Sequence, residues 1–161
     1  MSNILKINEK IRKFKKTIIV PGDKSLSIRW VLFASLANGK SIAKNLLISE
    51  DVLAAIEAVK KLGIKVKLKK KECKIFGKGI NGYKYKKNLT INAQNSGTLG
   101  RLILGLLVNS PEPINLIGDK SLSKRDFKRV SDPLSKFGAK FKLRNNNFLP
   151  LKIYGSSVLK P

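Results

Sequence analysis

Histidine is absent from this 161-residue chain, and cysteine occurs once, as Cys73. The first absence excludes a His-based catalytic triad, and the second excludes an intramolecular disulfide. Together they exclude a metal site of the thiolate and imidazole kind, so no metal or redox cofactor is expected. Acids are scarce, with 10 Asp+Glu against 34 Lys+Arg and a formal net charge of +24. Aromatics make up only 7 %, too few to read as a base-stacking surface. No apolar run approaches the roughly 20 residues of a membrane span. Residues 1–16 mix Ile with Lys and Asn and lack the apolar core of a signal peptide, so the sequence reads as soluble and cytoplasmic. What remains is a chain with 42 % hydrophobic residues, too apolar for a disordered basic tail and long enough to bury a core.

The positive excess is nearly all Lys, accompanied by many Ile and Asn. Selection for a polyanionic partner produces such a pattern, and so does a coding bias toward A and T; composition leaves both open.

Periodicity predicts an α/β fold. Residues 25–36 have apolar positions at helical spacing and stop at Asn38-Gly39, and a second helix runs from Ser49 to Gly63 with Glu50 and Asp51 in its first turn. Residues 64–68 then alternate, and 73–76 follow as the second strand of a hairpin, with Cys73 half-buried in it. The same grammar recurs as a helix over 97–108, a strand over 113–117, a helix over 125–137 and a hairpin of 139–143 with 149–154. Leu62-Gly63-Ile64-Lys65-Val66-Lys67-Leu68 matches Phe137-Gly138-Ala139-Lys140-Phe141-Lys142-Leu143 at an offset of 75 residues. With first strands expected at 17–20 and 89–92, the chain reads as two copies of a βαβαββ unit, about 17–79 and 88–155. A separate echo is Gly22-Asp23-Lys24-Ser25-Leu26-Ser27, repeated identically as Gly118-Asp119-Lys120-Ser121-Leu122-Ser123 at an offset of 96. It is either a coincidence of abundant Lys and Ser or one anion-binding device used twice.

The first hexamer follows an expected strand and opens a helix, where free N–H groups and the helix dipole favour a phosphate or carboxylate. Lys24 offers a mobile point charge, Ser25 a short hydroxyl donor and Arg29 a planar fork one turn on. Asn95, Gly97, Thr98 and Arg101 repeat that logic at the next equivalent helix, and Arg125 is a third cation after a strand. The spacing is not that of a P-loop. Solvated cations beside ordinary helix caps are the plainer reading of any one site. Three together suggest a pocket for substrates rich in phosphate and carboxylate.

Residues 21–29, 95–102 and 118–125 resemble, in order and spacing, the signatures of the EPSP synthase family of enolpyruvyl transferases. The resemblance implies an inverse α/β barrel-like domain of repeated βαβαββ units, two complete here and a third truncated. It also implies transfer of the enolpyruvyl group of phosphoenolpyruvate to the 5-hydroxyl of shikimate 3-phosphate, with release of phosphate, no cofactor and a monomeric full-length enzyme. Lys24, Ser25 and Arg29 would contact shikimate 3-phosphate. Lys24, Asn95, Gly97, Thr98, Arg101 and Arg125 would contact or shape the phosphoenolpyruvate subsite.

This sequence also departs from the family pattern. Arg125-Asp126-Phe127 stands where Arg-Pro-Met is common, keeping the cation but setting an acid beside it, and Trp30 is bulky behind Arg29. The chain stops at Pro161, before the family's Ser-Ala-Gln or Ser-Ser-Gln segment and the second domain, to which residues 1–16 are expected to belong. Residues 17–161 would then be a partial substrate-binding domain without the proton-transferring acids, inactive alone and with a poorly anchored N-terminal segment. Two rivals stand beside this reading. The related transferase acting on UDP-N-acetylglucosamine would carry a Lys-Asn pair in the first motif, which is missing. A basic nucleic-acid binder would explain the charge but has no recognised motif here.

Overall fold

The computed structural model describes residues 6, 8, 10, 13 and 15–160; the expectation that residues 1–16 pack with a second domain lies largely outside them. Helix α1, Lys24–Leu36, opens on Asp23, whose carboxylate accepts the Leu26 N–H. Strand β1, Asn38–Ala43, follows at once. Helix α2, Glu50–Lys61, has acids in its first turn and Lys60 and Lys61 in its last, matching the dipole at both ends. Strands β2, Lys65–Lys69, and β3, Glu72–Lys78, form a hairpin.

The second half begins with β4, Leu89–Asn92, α3, Gly97–Leu106, and β5, Ile114–Ile117. A 3-10 turn, Leu122–Lys124, precedes α4, Lys128–Lys136, and the hairpin of β6, Lys140–Arg144, with β7, Phe148–Tyr154.

The sheets have the orders β1-β3-β2 and β4-β5-β7-β6, with β4 parallel to β5 and every other pair antiparallel. The first three strands thus repeat the order and sense of β5-β7-β6. The internal match at an offset of 75 falls on a shared helix stop: Gly63 and Gly138 take φ of 86° and 104°, and donate back to Lys60 and Ser135.

Four expectations need correction. Residues 17–20 are not a strand: Ile18, Ile19 and Val20 are exposed at 70, 94 and 63 %. A strand needs a ladder, and the contact recorded for this stretch is one long hydrogen bond from Asn45 Nδ2 to the Val20 carbonyl, 3.4 Å. Asn38-Gly39 is not merely a helix stop but the start of β1, paired with β3 from Asn38↔Lys78 to Ala43↔Cys73. Residues 125–127 are not helical; the Asp126 carboxylate accepts from the N–H groups of Lys128 and Arg129, so α4 starts later. Cys73, expected half-buried, is fully buried, and burial pushes its thiol pKa up.

One continuous core joins both halves. Ile28, Val31 and Leu32 of α1, Ile56 and Val59 of α2 and Ile75 of β3 meet Ile91, Leu99, Ile103, Ile114 and Ile153. At Gly77 a Cβ would lie 2.2 Å from the Ala37 carbonyl oxygen and 2.4 Å from that of Ala34, so β3 rests directly on the end of α1. That contact fixes how α1 sits on its sheet.

Candidate anion-binding site

The second motif folds into a compact cationic corner at the start of α3. Ser96 caps the helix, its buried Oγ accepting the Leu99 N–H at 3.3 Å. Directly after it, a Cβ on Gly97 would stand 3.0 Å from Nη1 of both Arg101 and Arg125. Two guanidinium groups therefore converge where backbone N–H groups and the helix dipole already favour a negative charge. Among the described residues neither guanidinium belongs to an ion pair. Thr98 stands half-buried in the same first turn.

Arg101 lies over the Phe127 ring, with its guanidinium carbon 5.5 Å from the centroid, and its Nη2 reaches the Asp126 carbonyl at 3.4 Å. Its buried Nε has no hydrogen-bond partner among the described residues. Burial, then the like charges of Arg129 and Arg125, pull its pKa below the usual arginine value, against a smaller opposing effect of Asp126. A bound phosphate or carboxylate would offset the like-charge repulsion and give the guanidinium a partner. Arg125, expected at the start of a helix, instead sits in the extended link after the 3-10 turn. Its Nη2 donates to Asn95 Oδ1 at 3.1 Å, and Asn95 Nδ2 donates to Asp119 Oδ2 at 2.6 Å. Asn95 thus reaches the site through Arg125.

The first motif is arranged differently. Lys24 turns to α2 and pairs with Asp51, 3.0 Å between Nζ and Oδ2. Ser25 is half-buried and Arg29 exposed; Arg29 borders a crevice of about 90 Å³ with Leu32 and Phe33 of α1 and Leu102 and Leu106 of α3. Hence Asn95, Gly97, Arg101 and Arg125 come together, and Arg29 faces the helix that carries Arg101. No hydrogen bond among the described residues joins Lys24 or Ser25 to that corner. A cleft of about 610 Å³ lies elsewhere, between α2 and the end of β4, with Glu50, Glu57 and Lys61 in its wall. Two carboxylates make it a poor receptor for anions.

The repeated hexamer has a physical explanation. In both copies the Asp carboxylate accepts the N–H three residues on, Asp23 from Leu26 at 2.7 Å and Asp119 from Leu122 at 2.6 Å. The shared element of the two copies is a capping device. The Leu122 bond, and then the Asn95 bond, hold the Asp119 carboxyl below its ordinary pKa. Sequence reasoning missed Asp51, Asp119 and Phe127 as neighbours of the site. The repeat itself signalled Asp119, and the acid-rich first turn signalled Asp51. Phe127 was marked only as a departure from the family pattern, not as a ring beneath Arg101. Asp126, read as an acid beside the site, is turned to the N–H groups of α4.

A family model described as EPSP synthase (3-phosphoshikimate 1-carboxyvinyltransferase) matches residues 8–161. A 3-phosphoshikimate 1-carboxyvinyltransferase of Leuconostoc mesenteroides is 40% identical over 142 residues, covering 88% of this chain and 32% of that protein. One of Bacillus cytotoxicus is 41% identical over 143 residues, covering 88% and 34%. The solved EPSP synthase of Acinetobacter baumannii superposes with a TM-score of 0.83 at 34% identity, covering 89% of this chain and 32% of that one. The chain spans about a third of the length of the curated relatives it matches. Likeness in sequence and in fold extends over most of its residues, and the chain belongs to the EPSP synthase family.

Proposed function

We propose that this chain supplies part of the substrate-binding domain of an enolpyruvyl transferase that joins phosphoenolpyruvate to the 5-hydroxyl of shikimate 3-phosphate and releases phosphate. The observation that carries the reading is the convergence of Arg101 and Arg125 on Gly97 at the N-terminus of α3. In this reading the two guanidiniums and the first N–H groups of α3 bind phosphoenolpyruvate. Thr98 shapes that subsite, and Ser25 and Arg29 on α1 hold shikimate 3-phosphate. Lys24 leaves Asp51 to reach both anions. Clustered cations hold two mutually repelling substrates together and stabilise the phosphate as the carbon–oxygen bond breaks.

Proton transfer is a separate requirement. The carboxylates nearest the corner, Asp119 and Asp126, already accept backbone N–H groups. The acids and bases of the reaction are therefore assigned to the part of the relatives' length that this chain does not span, and the chain alone is inactive. Units of about 17–79 and 88–155 form the partial domain. The exposure of Leu26 and Phe33 on α1, 67 and 65 %, supports a further unit packing against them.

Trp30 is the only tryptophan and adjoins Arg29, so its fluorescence can follow a titration with shikimate 3-phosphate and phosphoenolpyruvate. The expected result is saturable binding, weakened at least about tenfold, or roughly 1.4 kcal/mol, by Arg29→Ala or Arg125→Ala, with no turnover in a coupled phosphate-release assay. Binding of any nucleic acid with a steep salt dependence, indifferent to both substitutions, would favour the polyanion-binding reading that the +24 charge suggests.

A further inference from the structure

We propose that Asp119 is a positioning residue that acts through Asn95 to hold the Arg125 guanidinium over Gly97. The inference rests on reading that corner as the phosphoenolpyruvate subsite, but its geometry stands on its own. Asp119 Oδ1 accepts the Leu122 N–H at 2.6 Å and Oδ2 accepts Asn95 Nδ2 at 2.6 Å. An ionised carboxylate only accepts, so the amide nitrogen of Asn95 must face it. The amide oxygen is thereby turned toward Arg125, whose Nη2 donates to it at 3.1 Å. A guanidinium only donates, and a flipped Asn95 would set donor against donor at Arg125 and acceptor against acceptor at Asp119. One anionic side chain thus fixes the polarity of a two-bond relay that ends on the cation.

The two hexamers supply an internal comparison. Asp23 makes the same cap to Leu26 and opens a 13-residue helix. Asp119 caps only a three-residue 3-10 turn, and its second oxygen serves the relay. The hydrogen bonds from Leu122 and Asn95 and the nearby Arg125 charge all keep Asp119 ionised, which the relay requires.

The decisive variant is Asp119→Ser. A serine hydroxyl is as good a cap acceptor, but it is neutral, one bond shorter, and puts a single oxygen where Asp119 sets two, Oδ1 for Leu122 and Oδ2 for Asn95. Phosphoenolpyruvate titrations of the wild-type chain, Asp119→Ser, Asn95→Ala and the double variant should show each single change weakening binding about tenfold. The double should be no worse than either single, and melting temperatures should stay close to wild type. Wild-type affinity in Asp119→Ser, or additive losses in the double, would overturn the proposal. If the wild-type chain fails to bind phosphoenolpyruvate, the subsite reading fails and the relay is judged without ligand, from guanidinium NMR signals. In Asp119→Ser the Arg125 Nη signals should collapse to a freely rotating average, while Arg144 Nε, bonded to the Leu149 carbonyl at 2.6 Å, keeps its wild-type signal. Unchanged Arg125 signals would overturn the relay.

Discussion

At the scale of single residues, the site depends on what is missing at one Cα. Gly97→Ala would place a methyl group 3.0 Å from two guanidinium nitrogens. Both belong to flexible side chains, which can swing aside with little strain in the fold. Phosphoenolpyruvate affinity should therefore fall about tenfold, a loss of roughly 1.4 kcal/mol, with a small shift in melting temperature. Isothermal titration and a thermal scan on the same sample check both halves. Lys24 gives the opposite expectation. Its partner Asp51 competes with an arriving anion, and because Lys24 is 55 % exposed the pair contributes only about 0.2–1 kcal/mol. Asp51→Asn should accordingly tighten shikimate 3-phosphate binding by up to about fivefold. Lys24, Arg29 and Arg101 were legible in sequence because Lys-Ser and Gly-Thr stand at helix starts followed by Arg one turn on, whereas Arg125 was picked out on a helix start that lies three residues later. Their partners were not, because Asp51 reaches Lys24 and Asp119 reaches Asn95 only through the tertiary fold.

At the scale of elements, capping and close backbone approach set what each helix tolerates. Asp23→Ala removes the side-chain acceptor of α1 and should cost about 1 kcal/mol, seen as a drop of roughly 2–4 °C in calorimetry. Gly77→Ala forces a methyl group into the carbonyls that end α1 and should cost about 1–3 kcal/mol in urea denaturation, because those oxygens belong to backbone and cannot rotate away. The helices and both hairpins could be read from periodicity, since their apolar stripes and stop glycines are local signals. Strand β1 could not. Asn-Gly-Lys-Ser carries turn residues and exposed side chains, and only pairing with β3 makes it a strand. Residues 17–20 failed the other way: Thr-Ile-Ile-Val has strand propensity, but propensity without a partner ladder leaves it irregular.

For the whole molecule, +24 of net charge opposes compaction, so added salt should raise the melting temperature until self-repulsion is screened. At high salt, pH becomes a test of the core. Burial raises the pKa of Cys73 above 9.0 and that of Tyr83 above 10.0, the latter partly countered by its bond to Ser35. The unfolded chain gives up these protons first. The stability they contribute is present below pH 9 and is lost as pH rises through the raised folded-state values, so unfolding should come at progressively lower temperature as pH climbs above 9. Calorimetry in 1 M salt reads this directly. The repeated strand order has its own consequence in folding. The β2–β3 and β6–β7 hairpins close over a few residues each, whereas β1 and β5 must find β3 and β7 across long stretches of chain. Loop closure favours early hairpins with β1 and β5 joining late, each facing two templates of the same order and sense. A late strand that joins the other hairpin, or a hairpin of another molecule, meets a familiar ladder, and only its side-chain pattern rejects the mistake.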